Sequence, residues 1–314
     1  MKILIIDRLH EVLINMLLSA GFQCDYRPEW SVNQVEEALI TYEGLILRSR
    51  LSIGSDLMDA NKQLKFIGRV GAGLEHIDVN YAKRCGIDII SSPEGNRQAV
   101  AEHALGSLLT LFNRIHIANQ QVREGKWLRK ENEGTELQGK TIAIIGYGNT
   151  GSAFAQVLSG FQTKVIAFDK YKSGFSSPIV DEVAMKVVYD EADVVSLHLP
   201  MSSETTNLVN KHWIDQFRKP FYLINTSRGK VVKTADLLNA IDTGKVLGAC
   251  LDVLEFETDT LQMPHQKQLP ASAQKLYGSE QVVLTPHTAG LTAESYRKLS
   301  VVLAQKIIEK FSRA

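Results

Sequence analysis

The sequence has neither net charge nor a long apolar run, and each absence excludes a class of protein. Its 314 residues include 35 Lys plus Arg and 35 Asp plus Glu, so we expect no broad basic surface for nucleic acid. No stretch approaches the roughly 18 consecutive apolar residues of a membrane helix, and the apolar run at residues 3–6 is too short for a signal peptide. We therefore expect a cytoplasmic protein that contacts neither nucleic acid nor a membrane.

Cysteine is also scarce, because only Cys24, Cys85 and Cys250 are present. Their number is odd and their spacing fits neither a disulfide framework nor a metal site, which predicts reduced thiols and no bound metal. Low-complexity tracts and solenoid repeats are absent too, whereas hydrophobic residues make up 44% of the chain. These proportions are typical of a globular protein long enough for two domains.

The sequence does contain a series of short apolar runs, each followed by a segment with helical periodicity. The runs are continuous rather than alternating, which indicates strands buried on both faces, as in parallel sheets covered by helices. So many strands would overextend one twisted sheet, and two doubly wound α/β units are expected. Residues 96–122 predict one extended helix, and residues 291–311 predict a final amphipathic helix. The runs lie at 3–7, 44–49, 65–70, 88–92, 141–146, 164–169, 194–200, 221–227, 248–253 and 282–287.

The segment "IIGYGNTGSA" carries three glycines in the G-x-G-x-x-G spacing directly after a predicted strand. In that context Gly146 allows a tight turn, Gly148 lets the backbone approach a pyrophosphate, and Gly151 lets the helix pack on the strand. The helix N-terminus adds free amides and the positive end of its dipole. The pattern predicts a dinucleotide-binding site.

Asp169 ends the next predicted strand after this turn. A carboxylate in this place accepts hydrogen bonds from the adenosine ribose and repels a 2′-phosphate, which favours NAD over NADP. Lys170 and Lys172 follow it and weaken the discrimination slightly. NAD is therefore the expected cofactor.

Three later predicted strands are each followed by polar or charged residues. The end of a buried strand does not require such residues. Arg228 comes after one of them, Asp252, Glu255 and Glu257 after the next, and His287 after the third. In open α/β sheets, ligands bind in the crevice outside the carboxyl ends of the strands. An arginine clamp for a carboxylate, a histidine acid/base and an anion that holds the imidazole predict hydride-transfer chemistry. From the spacing alone, either glutamate could hold the histidine.

Six blocks follow one another along the chain: "GRVGAGLEHIDVNYAKRCGIDIISSPEGNRQAVAEH", "GKTIAIIGYGNTG", "LPMSSETTNLVN", "LINTSRGKVV", "GACLDVLEFE" and "LTPHTAG". In this order they resemble the D-isomer-specific 2-hydroxyacid dehydrogenase family over nearly the whole length. The resemblance implies a flavodoxin-like substrate domain at 1–97 and 289–314, with a Rossmann-type NAD domain at 98–288 inserted into it. It also implies a homodimer whose interface includes residues 98–122 and the arm that follows them.

The resemblance implies roles for the polar residues at the strand ends. Arg228 matches the family's catalytic arginine, His287 matches its acid/base histidine, and Glu257, rather than Glu255, matches the glutamate paired with that histidine. Family members often have proline after this glutamate, whereas threonine follows here and a long segment, 258–281, precedes the next strand. This departure leaves the local geometry of Glu257 open.

Further positions match the family's contacts with cofactor and substrate. Asp252 corresponds to the residue that holds the nicotinamide carboxamide, and Val70–Gly73 to a turn whose backbone amides bind the substrate carboxylate. The implied cofactor contacts are Gly146, Gly148, Asn149, Thr150, Gly151, Asp169, Pro200, Thr205, Thr226, Asp252 and Gly290. The implied substrate contacts are Arg48, Ser49, Arg69, Val70, Gly71, Ala72, Gly73, Asn96 and Arg129.

Three arginines bear on which hydroxy acid is bound. Arg48 and Arg69, at strand ends, would have nothing to neutralise beside a lactate tail but suit a phosphate. In family members that oxidise 3-phosphoglycerate, an arginine placed like Arg129 reaches the partner subunit's active site. We therefore expect NAD-dependent oxidation of 3-phosphoglycerate, a first step of serine synthesis. An alternative for Arg48 and Arg69 is ordinary ion pairing at the surface. Alternatives for the whole protein are reduction of glyoxylate or hydroxypyruvate, or a role as an NAD-sensing corepressor.

Overall fold

The structure of the chain is a computed structural model that describes residues 1–258, 263–264 and 268–312. The path predicted for the 258–281 loop therefore lies partly outside the described residues. The strands are β1 (Lys2–Ile5), β2 (Gln23–Tyr26), β3 (Gly44–Leu47), β4 (Phe66–Arg69), β5 (Asp88–Ser91), β6 (Thr141–Ile145), β7 (Lys164–Phe168), β8 (Asp181–Glu182), β9 (Val194–Leu197), β10 (Phe221–Asn225), β11 (Val246–Leu251) and β12 (Val282–Leu284). The helices are α1 (Glu11–Ser19), α2 (Val32–Leu39), α3 (Ser55–Ala60), α4 (Val79–Arg84), α5 (Arg97–Phe112), α6 (Ile115–Arg123), α7 (Asn149–Leu158), α8 (Met185–Glu191), α9 (Lys211–Asp215), α10 (Thr234–Asp242), α11 (Ala271–Tyr277) and α12 (Ala293–Phe311), with short 3-10 helices at Pro93–Gly95 and Gly229–Val231.

Five parallel strands form the sheet of the first of two units, which comprises Met1–Arg97 and the C-terminal residues from Leu291. The spatial order is β2-β1-β3-β4-β5. Leu4 of β1 belongs to an apolar cluster on one face, whereas Ile3 and Ile5 belong to the cluster on the other face, where α12 packs. Burial on both faces explains why the strands read as continuous apolar runs.

Seven parallel strands form the sheet of the second unit, which comprises Gln98–Glu257 and Met263–Gly290. Their order is β12-β11-β10-β9-β6-β7-β8, and neighbouring residues Ile144 and Ile145 of β6 face opposite apolar clusters. β6 lies between β7 and β9, so the strand order reverses there. Open α/β sheets bind ligands at such a switch point. The predicted class of two doubly wound parallel sheets is confirmed.

Two strands were not predicted from apolar runs. β2 is an edge strand whose end residues, Gln23 and Tyr26, are exposed, and β8 has only two residues. None of the residues of β2 or β8 is fully buried, so neither sequence has the continuous apolar run that marks the central strands.

The single extended helix predicted at 96–122 is wrong. α5 ends at Phe112 and α6 begins at Ile115, because Arg114 adopts a left-handed backbone conformation with φ 51°. The carbonyl of Phe112 accepts a hydrogen bond from the amide of Thr135 at 2.9 Å, whereas in a continuous helix it would accept from the residue four positions later. None of the helices in the described ranges is long and apolar enough to cross a bilayer.

Candidate active site

The turn between β6 and α7 requires glycine at two of its three glycine positions. Gly146 has φ 92°, and a Cβ there would lie 2.3 Å from the carbonyl oxygen of His198. A Cβ on Gly151 would lie 2.1 Å from the carbonyl oxygen of Gly146 and push the helix away from the strand. At Gly148 a Cβ would have nothing within 4 Å, and this open space at the N-terminus of α7 suits a pyrophosphate.

A buried histidine holds the start of α7. Asn149 is the first residue of that helix, and Thr150 Oγ1 lies 3.1 Å from Nδ1 of His198. The other ring nitrogen, Nε2, lies 2.9 Å from Ser196 Oγ. Burial lowers the pKa of His198 to about 3, so the ring is neutral, with one nitrogen donating and the other accepting. Thr150 is therefore positioned without a charged side chain.

Backbone amides hold both oxygens of Asp169, which follows β7. Oδ2 accepts from the amide of Tyr147 at 2.7 Å, and Oδ1 accepts from the amides of Tyr171 and Lys172 at 2.9 and 3.0 Å. Partial burial opposes ionisation of this carboxyl, but the three amides outweigh it and lower the pKa of Asp169. A fixed, ionised carboxylate thus stands beside the glycine turn.

Other predicted cofactor contacts lie at the ends of β9 and β10. Thr205 Oγ1 donates to the carbonyl oxygen of Pro200 at 2.7 Å and accepts from the amide of Ser202 at 2.8 Å, so one turn holds them together. Thr226 follows β10, and its Oγ1 is buried with no hydrogen-bond partner among the described residues. A buried hydroxyl without a partner is costly. This atom and the open space at Gly148 fit a site that a dinucleotide completes.

Asp252 follows β11 and is buried. Its Oδ1 accepts from the amide of Thr288 at 2.8 Å and from the hydroxyl of Thr285 at 2.6 Å, and its Oδ2 accepts from the amide of Ala289 at 2.9 Å. These bonds shape the loop that runs from β12 to Gly290. A nicotinamide carboxamide would use the acceptor positions that remain on the two oxygens.

Arg228 is held in an extended conformation by the turn that follows β10. Asn225, a fully buried residue, accepts from the amide and hydroxyl of Ser227 at 3.1 and 2.8 Å and donates to the carbonyl oxygen of Arg228 at 2.9 Å. A Cβ on Gly229 would lie 1.8 Å from the carbonyl oxygen of Leu254, so only glycine lets the two loops meet. The Arg228 guanidinium is therefore carried by a rigid turn at the carboxyl edge of the sheet.

His287 and Glu257 form a hydrogen-bonded pair. Nδ1 of His287 lies 2.7 Å from Oε2 of Glu257, whose Oε1 accepts from the amide of Leu254. A carboxylate accepts from Nδ1–H and so leaves the lone pair on Nε2. No partner of Nε2 is found within the described ranges. With its proton on Nδ1, the imidazole is oriented as a general base requires.

The backbone of His287 is also constrained. Its φ of 55° is uncommon for a residue other than glycine. The amide donates to the carbonyl oxygens of Asp252 and Thr285, at 2.7 and 3.0 Å, and these bonds hold the conformation. Such conformations persist where the surrounding structure over-determines them, which is frequent at active sites.

Glu255, the other glutamate after β11, does not contact the histidine. Its Oε2 accepts from the amide of Thr234, the first residue of α10, at 2.8 Å. It therefore satisfies a free amide at a helix N-terminus. In the described part of the chain, no group of three or more His, Cys, Asp or Glu residues is arranged to hold a metal ion.

In the first unit, Arg48 and Ser49 follow β3. The guanidinium carbon of Arg48 lies 5.5 Å from the ring centroid of Tyr296 on α12, within the range of a cation–π contact. The neighbouring carboxylate, Asp7, is paired with Arg50 instead, at 2.9 Å. The Arg48 side chain has no ion pair among the described residues, so surface pairing does not account for it.

The anion-binding turn predicted at Val70–Gly73 offers fewer amides than expected. The amide of Val70 donates to the carbonyl oxygen of Leu47 at 2.9 Å, and that of Gly71 donates to Ser92 Oγ at 3.1 Å. Both bonds tie the turn to its own sheet. Only the amides of Ala72 and Gly73 form no such bond among the described residues, and the anion site at this turn stays a prediction.

Arg69 lies against this turn. Its Nη1 donates to the carbonyl oxygen of Val70 at 3.2 Å, and a Cβ on Gly71 would overlap the guanidinium. Glycine with φ 144° therefore makes room for the arginine. Asn96 has a buried Oδ1 with no hydrogen-bond partner among the described residues.

The arm before the glycine turn is exposed. The Trp127 side chain is 76% accessible, Arg129 is exposed, and the Asn132 amide donates to the carbonyl oxygen of Leu128 at 2.8 Å. α6, which precedes the arm, has no buried residue. A hydrogen bond within the arm thus fixes its backbone locally, although the Trp127 side chain is exposed to solvent.

Residues 105–289 match a family model described as D-isomer specific 2-hydroxyacid dehydrogenase, NAD binding domain. The chain belongs to this family. The D-3-phosphoglycerate dehydrogenase of Synechocystis is 34% identical over 98% of this chain and 53% of that protein. The hydroxypyruvate reductase of Thermotoga maritima is 35% identical over 85% of this chain and 84% of that protein. A solved D-lactate dehydrogenase with NAD+ from Lactobacillus jensenii superposes with TM-score 0.79 at 26% identity, over 99% and 97% of the two chains.

This chain spans about half the length of the curated D-3-phosphoglycerate dehydrogenases it matches. The match with a family of oxidoreductases and with an NAD-binding domain confirms the predicted family and the predicted cofactor, NAD.

For this member of the dehydrogenase family, sequence reasoning missed four residues that hold the site. Asn225 and His198 are polar residues within or directly after apolar strands, and that placement was an available signal. Thr285 precedes the "PH" of its motif, and His103 lies on α5 with its Nε2 3.0 Å from Thr285 Oγ1. Because the Thr285 hydroxyl donates to Asp252, its oxygen accepts from His103. No periodicity marks such a contact between distant segments.

Proposed function

We propose that this protein oxidises D-3-phosphoglycerate to 3-phosphohydroxypyruvate with NAD. The observation that carries the proposal is the His287–Glu257 pair, 2.7 Å apart, on a sheet edge that also carries Arg228. The phosphorylated acid is supported by the names of several curated relatives and by Arg48, which has no ion pair among the described residues.

Each of the three side chains has one role in the proposed reaction. Arg228 binds the substrate carboxylate with its planar fork and polarises the oxygen on C2. Nε2 of His287 removes the hydroxyl proton, and Glu257 stabilises the resulting imidazolium through Nδ1. Bound NAD supplies the acceptor for the C2 hydride. In the reverse direction, the same Nε2 returns the proton to the carbonyl oxygen.

The cofactor would be held by groups that are already in place. The amides at the start of α7 and the open space at Gly148 suit the pyrophosphate, and Asp169 suits the adenosine ribose. The orphaned hydroxyl of Thr226 and the remaining acceptor positions of Asp252 suit the nicotinamide end.

The proposed phosphate contacts are arginines. Arg48 and Arg69 stand at the ends of neighbouring strands of the first unit, and the two remaining amides of Val70–Gly73 suit the carboxylate. Arg129 would come from the partner of a homodimer, and the exposed Trp127 supports an arm that packs on a second copy. Cytoplasmic location and a role in serine synthesis complete the proposal.

Reduction of hydroxypyruvate is the second candidate, and one observation favours it. The Thermotoga maritima relative bears the name hydroxypyruvate reductase and is 35% identical over 85% of this chain. The two reactions would use the same Arg228, Glu257 and His287. They differ in whether a phosphate must be bound.

A substrate panel tests the proposal. Initial rates are measured with 3-phosphoglycerate, D-glycerate and D-lactate in the oxidation direction, and with hydroxypyruvate, glyoxylate and 3-phosphohydroxypyruvate in the reduction direction. We expect kcat/KM to be highest for the phosphorylated member of each set, because a phosphate gives Arg48 the anionic partner that it lacks among the described residues. A higher kcat/KM for hydroxypyruvate than for its phosphorylated form contradicts the proposal and favours the second candidate.

A further inference from the structure

The lysine that follows Asp169 is held by a glutamate from another loop. Nζ of Lys170 lies 2.8 Å from Oε2 of Glu204, and the Tyr171 hydroxyl donates to the same oxygen at 2.6 Å. Glu204 belongs to the loop after β9, one residue before Thr205. Lys170 and Tyr171, which follow Asp169, therefore both contact the carboxylate of Glu204, which lies outside the glycine-rich turn.

The second lysine of this segment is also engaged. Nζ of Lys172 donates to the carbonyl oxygen of Tyr147 at 3.1 Å, while the backbone amide of Lys172 binds Asp169. The segment from 170 to 172 thus wraps around the Asp169 carboxylate. Its two ammonium groups are directed to acceptors of the protein itself.

These contacts bear on which dinucleotide can bind. Sites that accept NADP place a cation where the 2′-phosphate lies, and in this fold that cation follows the acidic position at the end of the second strand. Lys170 stands in that position and could neutralise a 2′-phosphate. The site therefore contains a cation suited to NADP, but an anion of the same protein is paired with it.

We propose that Glu204 is a specificity-determining residue, which withholds Lys170 and Tyr171 from a 2′-phosphate and so restricts the site to NAD. Asp169 repels the phosphate directly, whereas Glu204 acts by neutralising the cation that would otherwise attract it. Both partners of the ion pair are about half exposed. Such pairs contribute little to stability, so Glu204 affects cofactor choice more than folding.

The test measures binding of cofactor, without substrate, by titration calorimetry of the whole chain with NAD+ and NADP+. We expect wild-type protein to bind NAD+ more tightly. In Glu204→Gln, the Kd for NADP+ should fall at least fivefold, while the Kd for NAD+ stays within twofold of the wild-type value. Glutamine keeps the size and the hydrogen bond to Tyr171 but does not neutralise the lysine. Because no turnover is measured, the outcome is independent of which hydroxy acid is the substrate.

Two further variants separate the proposed route from a general change of charge. Glu191→Gln breaks a comparable surface pair, Lys164 with Glu191 at 2.6 Å, and should leave both Kd values unchanged. Lys170→Met combined with Glu204→Gln should lose the gain in NADP+ affinity, because the freed cation is gone. The proposal is overturned if wild-type protein binds the two cofactors equally, if Glu204→Gln does not tighten NADP+, or if the gain persists without Lys170.

Discussion

Replacing Glu257 with glutamine should impair catalysis although the two side chains have nearly the same shape. Glu257 accepts hydrogen bonds at both oxygens, from Nδ1–H of His287 and from the amide of Leu254. Glutamine has one acceptor oxygen and one amino group that only donates. It can satisfy one of the two donors but must oppose the other, and it carries no charge to stabilise an imidazolium.

The size of the effect follows from the bond that is lost. A hydrogen bond to a charged group contributes about 1.5–3 kcal/mol, and each 1.4 kcal/mol of barrier is about tenfold in rate. If the charged bond between Glu257 and His287 matters most when the imidazolium forms, kcat should fall roughly 10- to 150-fold. The affinity for NAD, measured by direct titration, should not change.

The matched control is Glu255→Gln. Glu255 binds the amide of Thr234 at the N-terminus of α10, so its neutral analogue should lower the free energy of unfolding by about 0.3–1 kcal/mol and leave kcat unchanged. Steady-state rates with 3-phosphoglycerate and urea unfolding curves measure the two outcomes. Wild-type kcat in Glu257→Gln, or an equal loss of kcat in both variants, would refute the assigned roles.

Three other substitutions give distinct outcomes. His287→Ala should reduce kcat by about 10²–10⁴-fold, the usual contribution of a general base, and should leave the affinity for NAD unchanged. A stopped-flow rate near that of wild type would show that His287 is not the general base. Arg129→Ala should raise KM for 3-phosphoglycerate about tenfold and leave KM for NAD unchanged, and Lys130→Ala, the control, should change neither. An unchanged KM for 3-phosphoglycerate in Arg129→Ala would mean that Arg129 does not bind the substrate. The buried His198 has its pKa lowered to about 3, below the roughly 6.5 of an unfolded chain, so only the unfolded chain binds its proton between these values. The contribution of this residue to the free energy of unfolding is therefore complete above pH 6.5 and falls by about 1.4 kcal/mol per pH unit on acidification. Urea unfolding at pH 7, 6 and 5 should show this slope in wild-type protein and not in His198→Gln. An identical slope in the two proteins contradicts a neutral, buried His198.

The sheets were predictable because each central strand is buried on both faces. β6 reads as an uninterrupted apolar run since its alternate residues enter opposite cores. The same reasoning cannot detect β2, whose edge position leaves polar residues exposed. The break at Arg114 was not predictable either, because the apolar periodicity continues across it. The end of α5 depends on the left-handed backbone of Arg114 and on tertiary contacts such as the bond from Thr135 to Phe112.

The separation of Glu255 from Glu257 shows what spacing cannot supply. The two glutamates are two residues apart after the same strand, and either could have reached His287, which lies 30 residues after Glu257. Which glutamate contacts His287 depends on where α10 begins. The first amide of this helix donates to Glu255, so Glu257 is the glutamate that contacts His287. Family resemblance assigned Glu257 by pattern, whereas the helix position gives a physical reason for the assignment.

Asp252 connects the proposed cofactor contacts to the proposed acid/base pair through the backbone. Its carboxylate binds the amides of Thr288 and Ala289, and its carbonyl oxygen binds the amide of His287. One buried residue therefore sets the path of the loop that carries the imidazole and compensates for the uncommon φ of His287. Glu257 then needs to fix only the ring, because the backbone beneath it is already determined. The position of the proposed general base thus depends on two acidic residues after one strand: Asp252 holds the main chain and Glu257 holds the side chain.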